Sequence, residues 1–166
     1  MKIRHGFVSN SSSSSFVISV PHGTELTLEA FHQALYGRPD NFKFAPTWTW
    51  NDQVGIDSYD AVNAILAQIT EKADAEKLTS TIDVHIDYEQ YLKPGEANEF
   101  REYDWDAINE AEDAALKVEA ARLMELMKSE DIYTVSFSDN DGEFFSQMEH
   151  GEAMNSIKGV IRYSYH

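Results

Sequence analysis

Residues Asp104 to Ser129 run for 26 residues without proline or glycine and are rich in Ala, Glu, Leu and Met. That composition favours helix at nearly every position. Projected at about 100° per residue, Trp105, Ile108, Ala115, Leu116, Leu123, Leu126 and Met127 fall on one stripe. An apolar stripe on a helix has to be covered by another element, so the question is what the rest of the chain supplies.

Strand-like runs supply it. Phe16–Val20 (FVISV) is β-rich and is stopped by Pro21 and Gly23. Residues 81–88, TIDVHIDY, alternate Ile82, Val84, Ile86 and Tyr88 with Asp83, His85 and Asp87, the pattern of a half-buried strand. The C-terminus reads as a three-stranded meander of Ile132–Ser138, a DNDG turn at 139–142, Glu143–Met148, and Lys158–Tyr165 after a loop. Two further helices are expected. Thr24–Tyr36 has Thr24 or Thr27 as cap and Gly37 as its end, and Asp57–Leu78 carries Tyr59, Val62, Leu66, Ile69 and Ala73 on one stripe. Asn41–Asn51 is aromatic, and Pro46 limits it to an edge strand or a packed loop. Residues 91–103 form a polar connection around Pro94-Gly95.

Strands and helices do not alternate regularly, and the last three strands are joined as hairpins. The expected fold class is therefore α+β, with an antiparallel or mixed sheet, a C-terminal three-stranded meander and two to three packing helices. At 166 residues, 42% of them apolar, the chain fits a single domain over 1–166. Residues 1–15 form a basic, Ser-rich N-terminal segment that reads as a loop or a tail. If residues 1–8 are an edge strand, the serines become a tight loop between two strands.

Charge is the strongest global signal. The net charge is -16, and fifteen acids against five bases fall within residues 83–131, whereas residues 1–24 hold Lys2 and Arg4 and no acid. Such a surface repels bare nucleic acid and attracts basic partners, with simple solubility as the plain alternative. No cysteine is present, which excludes disulfides, thiolate metal sites and a thiol nucleophile. Polar serines interrupt the apolar run after Phe7-Val8 too early for a signal peptide, and no stretch approaches a membrane span. The expected location is the cytoplasm, with no membrane partner.

Several motifs carry candidate chemistry. Arg4, His5, Asn10, Ser11, Ser12 and Ser13 place hydroxyl, amide and cationic groups in the acid-free part of the chain, and a Ser/Asn-rich turn can form an anion nest. The pattern lacks the Gly-rich loop and Lys-Ser/Thr ending of a P-loop. The serine hydroxyls are also open to phosphorylation or a similar modification. The segment KIRHGFVSNSSSSSF resembles the N-terminal signature of small, mostly uncharacterised bacterial and bacteriophage proteins. The resemblance spans about the first 18 residues, assigns no chemistry, and implies a phage or bacterial accessory protein, acting in the host cytoplasm if phage-encoded.

Asp83, His85 and Asp87 share one side of the expected strand and form the metal-like constellation, against the simpler reading of a solvated face. Glu112 and Glu119 fall inside the apolar stripe of the long helix, where they are either buried acids or acids paired with Arg122 or Arg101. DNDGE fails as a calcium loop, because Gly142 at position 6 puts Phe137 at position 1. No Gly-x-Ser-x-Gly elbow or triad spacing is present, so no catalytic residue is named and no cofactor is expected.

The function expected is that of a non-enzymatic acidic interaction protein that binds a basic host protein surface as a nucleic-acid mimic or inhibitor. Glu102, Asp104, Asp106, Glu110 and Asp113 would form its partner-binding face. The competing expectation is a binder of, or enzyme on, a phosphorylated small molecule or nucleotide, acting through the N-terminal segment.

Overall fold

The computed structural model describes residues 13–45, 55–93 and 102–165. Strand β1, Ser13–Pro21, lies at the centre of a three-stranded sheet. It pairs antiparallel with β2, Glu130–Ser138, on one side and with β3, Ile161–Tyr165, on the other. Both partners come from the last quarter of the chain. The pairings of the central strand are therefore long-range in sequence.

Alternation along β1 divides the core in two. Phe16, Ile18 and Val20 face one side with Tyr133, Val135 and Phe137 of β2. That face is covered by α1 (Leu28–Tyr36), α2 (Ser58–Gln68), α5 (Glu143–His150) and α6 (Glu152–Asn155). Val17 faces the other side with Ile132 and Tyr163, beneath α3 (Ala75–Thr81) and the C-terminal half of α4 (Trp105–Leu126). The architecture is helix, sheet, helix, an α+β arrangement. Among the described residues no helix is long and apolar enough to cross a membrane.

Ser13, Ser14 and Ser15 are strand residues rather than part of the loop or tail expected over 1–15, of which residues 1–12 lie outside the described residues. Ser13, Ser14 and Ser15 sit opposite Ser138, Phe137 and Ser136 in the ladder. The hydroxyls of Ser14 and Ser15 have partners outside the local backbone, which offsets the usual preference of serine for turns. Ser15 Oγ meets Ser136 Oγ at 2.9 Å, and Ser14 Oγ donates to Glu149 Oε1 at 3.1 Å.

Helix α1 follows its sequence signals. Thr27 caps it, with Oγ1 accepting from the Ala30 amide, and Gly37 ends it in the left-handed region at φ 71°. The expected Asp57–Leu78 helix is broken. Residues 69–74 leave the helical path so that the Ala73 amide can donate to the Ile132 carbonyl on the outer edge of β2, and Asp74 then caps α3. Further along the same edge Gln68 completes the closure. Its Nε2 donates to the Ser136 carbonyl and its Oε1 accepts from the Ser136 amide, both at 2.9 Å.

That closed edge explains another departure. Glu143–Met148 is not the middle strand of a meander but lies within helix α5. Beta2 has β1 on its inner edge, while Gln68 and Ala73 hold Ser136 and Ile132 on its outer edge, where a hairpin partner would have to pair. The chain turns through Asp139–Asp141 and Gly142 into α5, then returns as β3 against β1. The C-terminal strands are thus β2 and β3, separated by β1.

Residues 82–87 also depart from the strand expected over 81–88. Burial alternates as the sequence predicts, with Ile82 buried and Asp83, His85 and Asp87 exposed. No ladder accompanies it among the described residues; Ile82 and Val84 pack instead in the cluster that contains Leu116, Ala120 and Leu123 of α4. An amphipathic extended segment can rest on a helix as well as on a sheet, and the alternation does not distinguish the two. Of Asn41–Asn51, residues 41–45 form a packed loop with a single bridge, Lys43 to Asp57, and the rest lies outside the described residues.

Candidate functional site

The N-terminal half of α4 stands away from the sheet and builds a surface with the short 3-10 turn Tyr88–Tyr91. Asp104 starts the helix by accepting from the Ala107 amide at 3.2 Å. Its own amide donates to the Tyr91 carbonyl, and the Lys93 amide donates to the Glu102 carbonyl, which clamps the two segments together. Tyr88 Oη donates to Glu112 Oε1 at 2.8 Å, and that bond holds the Tyr88 phenol above its usual pKa.

Trp105 projects from this clamp with 60% of its surface exposed, and Tyr88 with 41%. The Trp105 ring centroid lies 6.4 Å from that of Tyr88 and 5.8 Å from that of Tyr103. Trp105 therefore belongs to the surface and not, as its place in the stripe implies, to the core; Ile108 and Leu123 are the buried residues of α4.

Carboxylates surround these rings. Glu102, Asp104, Asp106, Glu110 and Asp113 are all exposed. Asp106, Glu110 and Asp113 are spaced four and three apart on one helix face, about 6 and 4.5 Å along the axis. Asp83, Asp87 and Glu89 add exposed carboxylates from the opposing segment. Among the described residues 83–113 the one lysine or arginine is Lys93, which pairs with Glu102 at 2.8 Å across two exposed side chains. An exposed pair of that kind contributes about 0–1 kcal/mol and leaves the field of the surface strongly negative.

Further along α4, Glu119 closes the seam with the sheet. Arg122 donates to it through Nε at 2.9 Å and Nη2 at 2.5 Å, and Tyr163 Oη donates to it at 2.6 Å. The Arg122 guanidinium holds the Glu119 carboxyl below its ordinary range, while burial and the Glu119 bond push the Tyr163 phenol up. Glu119 is thus the paired acid of the two alternatives, and Glu112 is half-buried and bonded to Tyr88. Beside this seam, Asp83, Val84 and His85 face Ala114, Ala115 and Val118 across a shallow groove of about 460 Å³.

The metal-like constellation does not assemble. Asp83, His85 and Asp87 lie on the exposed side of an irregular segment, and among the described residues no group of three His, Asp or Glu side chains converges. Asp87 instead caps the 3-10 turn, accepting from the Glu89 amide and from Gln90 Nε2. Of the anion-binding candidates, Arg4, His5, Asn10, Ser11 and Ser12 lie outside the described residues, and Ser13 is a strand residue. Next to it the Ser14 hydroxyl accepts from Arg162 Nε and Nη2 and donates to the fully buried Glu149. A buried carboxylate is an unfavourable neighbour for a phosphate.

Two polar clusters escaped the sequence reading because their members are far apart in the chain. His32 Nδ1 donates to the Arg38 carbonyl, and its Nε2 lies 2.8 Å from Ser58 Oγ, which itself donates to Asn41 Oδ1. Both side chains are fully buried, so this Ser–His pair ties α1 to α2 rather than meeting substrate. Asp131 accepts from His22 Nδ1 and Lys72 Nζ, each at 2.8 Å, and from the Gly23 amide. Lys72, with further help from His22 and the Gly23 amide, lowers the Asp131 carboxyl to about 2. These bonds join the start of β2 to the end of β1 and to the 69–74 connection.

What the exposed surface offers is recognition of positive charge by carboxylates and aromatic faces. No protein-family model, curated protein or solved structure matches the chain.

Proposed function

We propose that this chain is a non-enzymatic interaction protein whose acidic, aromatic surface on α4 and the Tyr88 turn binds a basic protein. The observation that carries the reading is Trp105, largely exposed beside two tyrosines on segments rich in exposed carboxylates, with Lys93 the one lysine or arginine among the described residues 83–113. Solubility alone accounts for the acids, but it gives no reason to hold an indole in water at their centre. Aromatic anchors inside a charged rim are how protein interfaces concentrate affinity.

In its most specific form the partner is a nucleic-acid-binding protein of the host. Asp106, Glu110 and Asp113 repeat charge along the helix at intervals of the same order as the phosphates of a duplex, about 3.4 Å per strand. The resemblance of the N-terminal segment to bacterial and phage accessory proteins supports an inhibitor acting in a host cytoplasm.

Affinity capture from a bacterial lysate, followed by titration of the purified partner, tests the proposal. The expected partner is basic, binds at least tenfold more weakly at about 0.5 M salt than at about 0.05 M, and loses affinity about tenfold or more with Trp105→Ala. An affinity indifferent to salt, or unchanged by Trp105→Ala combined with Asp106→Asn and Glu110→Gln, would overturn it.

A further inference from the structure

We infer that the groove between α4 and residues 82–87 seats an arginine side chain of the basic partner. The inference rests on the proposed function above and adds the place and kind of anchor. The groove is contiguous with the acidic surface, because Tyr88, bonded to Glu112, follows directly on the segment that forms one wall.

Its lining is amphipathic in the way a long cationic side chain is. Val84 and Ala115 form apolar walls, and Val118 adds an apolar side chain with 71% of its surface exposed. These groups match the methylene stem of an arginine, which buries well while its head stays polar. Tyr163 contributes to the floor, and its hydroxyl is already committed to Glu119. Glu119 is in turn occupied by Arg122, so Asp83 is the lining carboxylate with capacity for a new cation.

Arginine is favoured over lysine by the same groups. A guanidinium is planar, is more weakly hydrated than an ammonium, stacks on aromatic faces and engages a carboxylate through two parallel bonds. The pairing of Arg122 with Glu119 shows that two-point geometry already in use at the groove. A lysine head would meet Asp83 as a point charge, without the two parallel bonds of a guanidinium.

The test uses fluorescein-labelled nona-arginine and nona-lysine peptides, read by anisotropy at about 0.05 and 0.5 M salt and by amide chemical-shift mapping on the full chain. Nona-arginine is expected to bind about tenfold more tightly than nona-lysine and to shift the amides of Val84, His85 and Val118. Asp83→Asn, an exposed site, is expected to remove most of that preference while nona-lysine binding falls by about twofold or less. Ala115→Phe, which fills the groove, should do the same, and Asp83→Asn decides the matter if it fails to fold. Equal affinities for the two peptides, with shifts confined to Tyr88, Tyr103 and Trp105, would overturn the groove and leave the acidic surface standing. Failure of both peptides to bind at low salt would overturn the groove together with the proposed function.

Discussion

At the C-terminal end of α4, Leu123 is completely buried against the cluster of Val17 and Ile132, whereas at the N-terminal end Trp105 leaves 60% of its surface in water. Both residues sit on the apolar stripe of one continuous helix. The difference lies in what is underneath. The helix spans 22 residues, about 33 Å, and its Leu116, Ala120, Leu123 and Leu126 pack in the cluster with Val17, Ile132 and Tyr163 of the sheet. Before Leu116 the helix is joined at its start to the Tyr88 turn, Ile108 is the one buried residue of that part, and Trp105 lies at the surface. One half of α4 is packed against the sheet, and the other half carries the surface proposed for recognition.

The comparison is broken most directly at Leu123. Leu123→Ala opens a cavity between helix and sheet and is expected to cost about 2–5 kcal/mol, read as a shift of the urea midpoint. A loss below about 1 kcal/mol would mean that the buried end is not the half that contributes the stability.

Asp131 gives the next effect, because it fastens the start of β2 immediately after the helix. Asp131→Asn keeps the shape but removes the charge that His22 and Lys72 share, at an expected cost of about 1–3 kcal/mol. Its pH dependence has two limbs. The carboxyl is lowered in the fold, so its contribution is present above about pH 4 and is lost as pH falls towards its folded value of about 2. His22 is raised, chiefly by its bond to Asp131, so its contribution is full below its ordinary value near 6.5 and is lost as pH rises through the folded value. Thermal melts from pH 2 to 9 should show a plateau between these limbs that Asp131→Asn flattens. A wild-type profile already flat over the acid limb would remove Asp131 from this role.

Between the two ends, Tyr163→Phe removes the hydroxyl that reaches Glu119 and is expected to cost about 1–2 kcal/mol. Hydrogen exchange sharpens the result. Amides from Ala107 to Ala114 should exchange faster than those around Leu123 in the wild type, since Ile108 is the buried anchor of that half. Tyr163→Phe should widen the gap. Uniform protection along α4 would erase the distinction between its halves.

How far the sequence discloses this molecule follows from how local each determinant is. Beta1, α1, α4, β2 and β3 rest on periodicity and caps carried within each segment, such as Thr27 and Gly37 around α1. The break in 57–78 and the helix at 143–150 depend on the outer edge of β2, which Gln68 and Ala73 occupy from more than fifty residues away. No window of local sequence contains that information. In the site, the acids are legible as composition and charge. Trp105 is misplaced by periodicity because a helical projection assumes a cover along the whole stripe, and the cover reaches Ile108 but not Trp105 at the first turn. Asp83, His85 and Asp87 show the reverse case, in which the alternation is real and the inferred strand is not.

The smallest expected effect is the stability change from Trp105→Ala, and its smallness is the point of contact between fold and function. Alanine has the higher helix propensity by roughly 0.5 kcal/mol. The exposed ring contacts with Tyr88 and Tyr103 are worth about 0.5–1.5 kcal/mol when buried and less in water. The clamp beneath survives the substitution, because Asp104, Tyr91, Lys93 and Glu102 hold it through backbone hydrogen bonds, and Ile108 stays in place. The net change should fall within about 0.5 kcal/mol, while partner affinity falls about tenfold or more. A stability loss above about 1.5 kcal/mol would make the three rings a small core of their own, and the exposed indole would then owe its place to packing rather than to a partner.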